Sequence, residues 1–146
     1  MPHSPREILD ADELAALQAV TSRPARRPVV LLVDDDRQVL AEMRELIRGA
    51  GLDCLTARSS AEALRRIRRD EAGIDLLVTD LRMETESSGL ELIRQLNDQG
   101  TFLPIVVLSG TDDARDVVEA MRLSVLDFLL KPVDPAYFLQ TLKRYL

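Results

Sequence analysis

The stretch Val29–Asp36, VVLLVDDD, places five apolar residues directly before three consecutive carboxylates. An unbroken apolar run predicts a strand buried on both faces, as in a parallel sheet, because a strand with one exposed face would alternate apolar and polar residues. The acids then lie at the carboxyl end of this strand, where open α/β sheets bind their ligands. Adjacent carboxylates repel one another, by about 4 kcal/mol for a close pair at an effective dielectric of about 20. We therefore expect a cation at this site.

Composition limits the class of protein. The 146 residues suit a single domain, and 46% apolar with 30% charged residues is typical of a globular chain. The net charge of −6 argues against direct nucleic-acid binding by this chain. No apolar run has the length of a membrane span, and the N-terminus lacks the pattern of a secretory signal. We expect a cytoplasmic protein without a membrane segment, in which the single Cys54 is a small buried hydrophobe.

Residues 1–28 have a different pattern from the rest of the chain. Ser4, Pro5 and Glu7 form a helix start, which predicts a helix over about 5–21. The segment Ser22–Pro28, SRPARRP, is typical of a linker because proline interrupts a helix. We expect an N-terminal helical extension and linker over 1–28, and we hypothesise that the helix mediates self-association or contact with a partner.

Strand and helix patterns alternate from residue 29 onward. The predicted strands cover 29–33, 52–57, 74–79, 104–108 and 126–130, and an amphipathic helix pattern follows each. Three helix starts are marked by capping residues, at Ser59 with Glu62, Ser88 with Glu91, and Asp134 with Pro135. This alternation predicts an α/β fold with a doubly wound five-stranded parallel sheet.

Chemically distinctive residues end four of the predicted strands, namely Asp34–Asp36, Asp80, Ser109 and Lys131. Because the carboxyl ends of parallel strands share one edge, these residues meet if the strand order is 2-1-3-4-5. Carboxylates and water are the ligands that Mg²⁺ prefers. Lys131 and Ser109 suit phosphoryl oxygens, and Asp80 can act as a carboxylate nucleophile.

The four strand motifs, VVLLVDDD, LLVTDLRM, VVLSG and DFLLKP, resemble the acid-pair, phosphoacceptor, hydroxyl and lysine strands of the receiver domain of two-component response regulators. The resemblance covers residues 29–146 and implies a flavodoxin-like (βα)5 fold. It implies a phosphorelay switch in which a histidine kinase or a small phosphodonor phosphorylates Asp80. Such a domain is not a general enzyme, since it catalyses only its own phosphorylation and dephosphorylation.

The resemblance also assigns roles to individual residues. It implies that Asp35 and Asp80 bind Mg²⁺ directly and that Asp34 acts mostly through water. The backbone carbonyl of Arg82 is a further implied ligand.

The implied switch involves three other residues. Lys131 pairs with the phosphoryl group, Ser109 moves toward it, and Phe128 turns into the space that Ser109 vacates. The face built from the fourth helix, fifth strand and fifth helix then changes its preference for partners. The expected partners are a histidine kinase or phosphotransfer protein, a downstream output domain or protein, and a second copy in a homodimer, with no nucleic acid and no membrane.

Arg82 departs from the family pattern, because it is a bulky charge at a position that faces the phosphoryl group. Its guanidinium can occupy the approach of the hydrolytic water, or it can stabilise the charge of the transition state. We expect the first effect to dominate because Lys131 and Mg²⁺ already supply positive charge. Hydrolysis of the phosphoryl group should then be slow, and it should accelerate in Arg82→Ala.

Two other functions remain compatible with the residues. A phosphatase of the haloacid-dehalogenase type would use an acid pair, a hydroxyl, a lysine and late acids, here Asp34, Asp36, Ser109, Lys131 and Asp112–Asp113. A pseudo-receiver would bind a partner without being phosphorylated. The nucleophile discriminates between them, because the phosphoryl group ends on Asp80 in a receiver and on Asp34 in the phosphatase.

Overall fold

Strands and helices alternate along the computed structural model, which describes residues 11–12, 26–70, 73–83, 88–110 and 114–146. The strands are β1 (Val29–Val33), β2 (Asp53–Ala57), β3 (Leu76–Asp80), β4 (Ile105–Ser109) and β5 (Asp127–Leu130). The helices that follow them are α1 (Arg37–Gly49), α2 (Ser60–Asp70), α3 (Ser88–Asp98), α4 (Ala114–Met121) and α5 (Pro135–Tyr145). The predicted helix over 5–21 and the first part of the predicted linker lie almost entirely outside the described residues.

The five strands are all parallel and lie in the order β2-β1-β3-β4-β5, which confirms the predicted order. In the ladder between β1 and β3, Val33 lies opposite Thr79, so that Asp34 and Asp80 follow at the same level. In the ladder between β4 and β5, Ser109 lies opposite Leu130, the residue before Lys131. The register therefore brings the predicted site residues to one edge of the sheet.

The sheet is covered on both faces, which explains why β1 does not alternate between apolar and polar residues. Leu31 and Val33 contribute to the core beneath α2, α3 and α4, whereas Val30 and Leu32 contribute to the core beneath α1 and α5. Cys54 is buried in the second core, and this burial raises the pKa of its thiol to about 11 although Arg44 and Arg48 lower it. The thiol is therefore inert at neutral pH, as expected for a small buried hydrophobe.

The helix starts at Ser59 and Asp134 follow the sequence signals with one change, whereas Ser88, predicted as a cap, is the first residue of α3. Ser59 Oγ accepts a hydrogen bond from the Glu62 N–H at 3.1 Å, but the Glu62 carboxylate accepts from the Arg58 N–H, one residue before the serine. Asp134 caps α5 as predicted, since its carboxylate accepts a hydrogen bond from the backbone of the first turn. Asp36 caps α1 in the same way.

The start of α3 packs directly against the end of β3. The Gly89 N–H donates to the Leu81 carbonyl at 2.9 Å, and Ser88 Oγ accepts from the Met83 N–H at 3.1 Å. A Cβ atom at position 89 would lie 1.8 Å from the Asp80 carbonyl oxygen, which is far inside van der Waals contact. Only glycine allows this approach, so Gly89 fixes α3 against the backbone of Asp80.

The last residues of the predicted linker contact the amino-terminal end of the sheet, opposite the ends that carry the predicted site residues. The guanidinium of Arg26 donates two hydrogen bonds to the Asp75 carboxylate, at 2.7 and 2.9 Å. The Val29 N–H donates to the same carboxylate at 2.7 Å. Burial acts to raise the pKa of Asp75, but the Val29 N–H and Arg26 outweigh it and hold the pKa below its ordinary value.

Replacing Gly89 by alanine should destabilise the fold, because the new methyl group must displace backbone atoms of Asp80 and Leu81. We expect the free energy of unfolding to fall by about 1–3 kcal/mol or more. Gly49→Ala is the matched control, since a Cβ there meets no atom of the described residues within 4 Å and should be neutral or stabilising by about 0.4–1 kcal/mol. Urea unfolding of both variants tests this, and equal stability of the two would contradict the close approach.

Candidate functional site

The carboxyl edge of the sheet holds a lysine between two buried carboxylates. Asp34 and Asp80 are 1% and 7% exposed. Lys131 Nζ donates to Asp80 Oδ2 at 2.6 Å and to Asp34 Oδ2 at 3.3 Å. The structure thus brings together one residue from each of three strand ends, as the sequence predicts.

Backbone hydrogen bonds orient both carboxylates. Asp34 Oδ1 accepts from the Asp36 N–H at 3.0 Å, and Asp80 Oδ1 accepts from the Arg82 N–H at 3.3 Å. The Lys131 N–H donates to the Ser109 carbonyl at 2.8 Å, which joins β5 to the end of β4. Each carboxylate therefore directs one oxygen to the backbone and the other to the lysine.

The electrostatics of the site are set by burial and by this pairing. Burial raises the pKa of Asp80, and the neighbouring Asp34 charge adds to the rise, although Lys131 and the Arg82 N–H act against it. Burial acts to lower the pKa of Lys131, but the two carboxylates outweigh it and raise that pKa. Lys131 is consequently a cation at neutral pH, and the charged form of Asp80 is destabilised.

The predicted metal ligands are only partly brought together. Asp35 has an exposed side chain, and across the described ranges no group of three or more histidine, cysteine or acidic side chains is arranged to hold a metal ion. The pair of Asp34 and Asp80 still fits Mg²⁺, which keeps several waters and uses one or two carboxylates beside a phosphate oxygen. The roles of Asp35 and of the Arg82 carbonyl stay predictions.

The predicted switch residues lie on β4 and β5. Ser109 ends β4 and is 5% exposed. Phe128, on β5, is half-buried and packs against the core beneath α2, α3 and α4. A small polar group therefore lies on β4, which pairs with β3, and a partly buried ring lies on β5, which pairs with β4. The switch roles of Ser109 and Phe128 stay predictions.

Arg82 points toward α4. Its Nε donates to Asp116 Oδ2 at 3.5 Å, and the two side chains are 33% and 14% exposed. Sequence reasoning placed the guanidinium over the phosphoryl group and did not single out Asp116. The only sequence signal at Asp116 is an acid in the first turn of a helix, which is common because it interacts favourably with the helix dipole.

Comparison with known proteins shows one family. The model of the response regulator receiver domain matches residues 30–143. The two-component response regulator PprB of Pseudomonas aeruginosa is 35% identical over 126 residues, and the match covers 84% of this chain. The transcriptional regulatory protein FixJ of Azorhizobium caulinodans is 39% identical over 111 residues, which are 73% of this chain. The match covers 45% of PprB and 49% of FixJ, so this chain spans about half the length of these relatives.

A solved structure extends the likeness to three dimensions. The crystal structure of a response regulator receiver protein from Pseudomonas putida superposes with a TM-score of 0.76 at 38% identity. The superposition covers 83% of this chain and 99% of that one. In the part of the chain that the structure describes, no helix has the length and apolar character needed to cross a membrane.

Asp80→Asn should stabilise the fold at neutral pH, because it removes a buried charge while Asp34 still pairs with Lys131. The raised pKa means that the folded state binds a proton at Asp80 more tightly than the unfolded chain, so wild-type stability falls as pH rises above about 3.9, the ordinary pKa of an aspartate. The advantage of the variant should therefore shrink as pH is lowered through the raised pKa.

Asp75→Asn is the matched variant, for which the expected change in stability has the opposite sign. Its lowered pKa contributes stability at neutral pH that is lost as pH falls through about 3.9 and then the folded pKa, so this variant should be less stable at pH 7 and approach wild type in acid. Urea titrations at several pH values measure both differences. The same pH trend in the two variants would contradict the assigned directions.

Proposed function

The chain belongs to the response regulator receiver domain family, and we propose from this premise that it is a switch in which Asp80 accepts a phosphoryl group. The observation that supports this best is the 2.6 Å hydrogen bond between Lys131 Nζ and Asp80 Oδ2 at the carboxyl edge of the sheet. A buried carboxylate held by a fixed cation is positioned both to attack phosphorus and to have the resulting charge neutralised.

The chemistry assigned to Asp80 is a single group transfer. A carboxylate oxygen attacks the phosphorus of a phosphohistidine or of a small acyl phosphate, and the bond from phosphorus to the donor breaks. Lys131 lies where it can pair with a phosphoryl oxygen once the group is attached. Asp34 and Asp80 would hold Mg²⁺, with Asp35 and the Arg82 carbonyl as further ligands, and a bound Mg²⁺ supplies additional positive charge near the phosphoryl oxygens.

The proposed output is a change in the surface formed by α4, β5 and α5. Phosphorylation adds about two negative charges beside Ser109 and Lys131, which favours movement of the Ser109 hydroxyl toward them. Phe128 then has space to turn inward. The surface carries exposed apolar side chains that a partner could bury, namely Val118 at 53%, Met121 at 66%, Leu130 at 60% and Tyr137 at 48% exposure.

The proposed partners are a histidine kinase or phosphotransfer protein that supplies the phosphoryl group, and a downstream domain or protein, or a second copy of this chain, that binds the surface of α4, β5 and α5. PprB and FixJ are named as regulators, which supports a downstream partner of this kind. A cytoplasmic location follows from the same proposal, because such kinases present their phosphohistidine on that side.

The phosphatase alternative is disfavoured by Asp36. Its carboxylate accepts hydrogen bonds from the Gln38 and Val39 N–H groups as the cap of α1. The carboxylate therefore stabilises the helix start and is poorly placed to act on a substrate. Asp112 and Asp113, the late acids of that alternative, lie outside the described residues.

Phosphorylation tests the proposed nucleophile. Acetyl phosphate with Mg²⁺ should add one phosphoryl group per chain, measured as a mass increase on the intact protein, and the label should be lost at high pH as an acyl phosphate is. Asp80→Asn should abolish labelling, whereas Asp75→Asn should retain it because Asp75 lies beyond the other end of β3. Retention of a label on Asp34 in the Asp80→Asn variant would favour the phosphatase, and failure of the wild type to take any label would favour the pseudo-receiver.

Magnesium should raise the melting temperature, because it binds the folded carboxylates and not the unfolded chain. At ten times the dissociation constant the stabilisation is about 1.4 kcal/mol. Asp34→Asn and Asp35→Asn should each remove most of the shift, and Asp53→Asn, an exposed acid on β2, should leave it intact. An undiminished shift in Asp35→Asn would exclude that residue as a ligand.

A further inference from the structure

One polar contact links the site to α4 without passing through Ser109 or Phe128. The Arg82 N–H donates to Asp80 Oδ1 at 3.3 Å, while the side chain of the same residue donates to Asp116 Oδ2 at 3.5 Å. Arg82 therefore contacts the proposed phosphoacceptor through its backbone and α4 through its guanidinium.

We propose that Asp116 is a positioning residue that draws the Arg82 guanidinium toward α4 and thereby sets the lifetime of the phosphoryl group on Asp80. This inference rests on the proposed function of Asp80. The phosphoryl group would carry about two negative charges. It would be attached to the Asp80 side chain, which already accepts a hydrogen bond from the Arg82 N–H. It competes with Asp116 for one guanidinium.

The competition affects hydrolysis through access of water. In hydrolysis a water oxygen attacks phosphorus, the bond from phosphorus to the Asp80 oxygen breaks, and inorganic phosphate leaves with the carboxylate restored. The water proton passes to phosphate or solvent. A guanidinium on the phosphoryl oxygens covers the approach of this water, whereas a guanidinium on Asp116 leaves the approach open. Asp116 thus favours hydrolysis by keeping Arg82 away.

The same competition connects the phosphoryl group to the partner surface. Asp116 lies on the same helix as Val118 and Met121, the exposed large apolar residues of α4. When the guanidinium pairs with the phosphoryl group, the ion pair between Arg82 and Asp116 of α4 is broken. By linkage, a partner that binds the released form of α4 must favour the arrangement in which the guanidinium lies on the phosphoryl group. Because that arrangement covers the approach of water, such a partner should prolong the lifetime of the phosphoryl group.

A double-mutant cycle on the full chain tests the proposal. Asp80 is phosphorylated with acetyl phosphate and Mg²⁺, the donor is removed, and phosphate release is followed over time in wild type, Asp116→Asn, Arg82→Ala and the double variant. Because the pair is partly exposed, Asp116→Asn should slow release by about two- to fivefold. In the Arg82→Ala background the same substitution should have no effect, and Asp116→Glu should restore the wild-type rate.

Glu119→Gln is the matched control. Glu119 lies on the same helix, and its carboxylate pairs with Arg94 of α3 rather than with Arg82. It should leave the rate of release unchanged. A purely structural effect of Asp116 on α4, such as loss of the interaction with the helix dipole, would persist in the Arg82→Ala background, so the cycle separates it from positioning.

Faster release from Asp116→Asn, an equal effect with and without Arg82, or an equal effect of Glu119→Gln would each overturn the role of Asp116 while leaving Asp80 as the phosphoacceptor. A wild-type chain that takes no label, or a label that persists in Asp80→Asn, would overturn the proposed function and this inference together.

Discussion

The contact of Lys131 with Asp34 and Asp80 is the interaction on which the carboxyl edge of the sheet depends. Two carboxylates that are almost fully buried cannot both remain charged without a cation, and Lys131 Nζ lies within 3.3 Å of an oxygen from each. The pKa of Asp80 remains raised despite this pairing, so the lysine offsets the cost of burial only in part. A further positive charge would stabilise the remaining negative charge of this cluster. This is the physical basis for proposing a metal ion beside it.

The parallel order of the strands makes this contact possible. β1 and β3 are neighbours in the sheet, so Asp34 and Asp80 emerge side by side although they are 46 positions apart in the sequence. The Lys131 N–H bonds to the Ser109 carbonyl, which places the lysine stem over the end of β4 and lets its ammonium reach back across that strand. The edge strand β2 contributes no site residue, which agrees with the absence of a distinctive polar residue at its end.

Sequence patterns were informative where a residue acts through its own burial or through short-range geometry. Unbroken apolar runs marked β1 and β4, and the polar residues at the strand ends identified the lysine and both buried acids. The limits of β1 were predicted as observed, and those of the other strands differ by one or two positions because a pattern detects burial rather than ladder pairing. Ile74, for instance, is buried but precedes β3. The contacts of Arg82 with Asp116 and of Arg26 with Asp75 join residues 34 and 49 positions apart. No periodicity encodes such pairs, and they became visible only once the fold had set the distances.

The geometry offers two paths from Asp80 to the surface of α4, β5 and α5, and they differ in kind. The path through Lys131 and Ser109 leads along β4 and β5, where buried side chains are packed and change only between discrete arrangements. The path through Arg82 leads across a partly exposed ion pair that can break without repacking the core. A solvent-screened contact of this kind carries a small free energy, so it is suited to adjusting the balance between two states rather than to creating them. Under the proposed function, the packed path therefore determines which surface is presented, and the Arg82 path adjusts how long it is presented. Under the same proposal, a bulky arginine can lie beside a phosphoacceptor without disrupting the switch, because its contact with α4 can break without repacking the core.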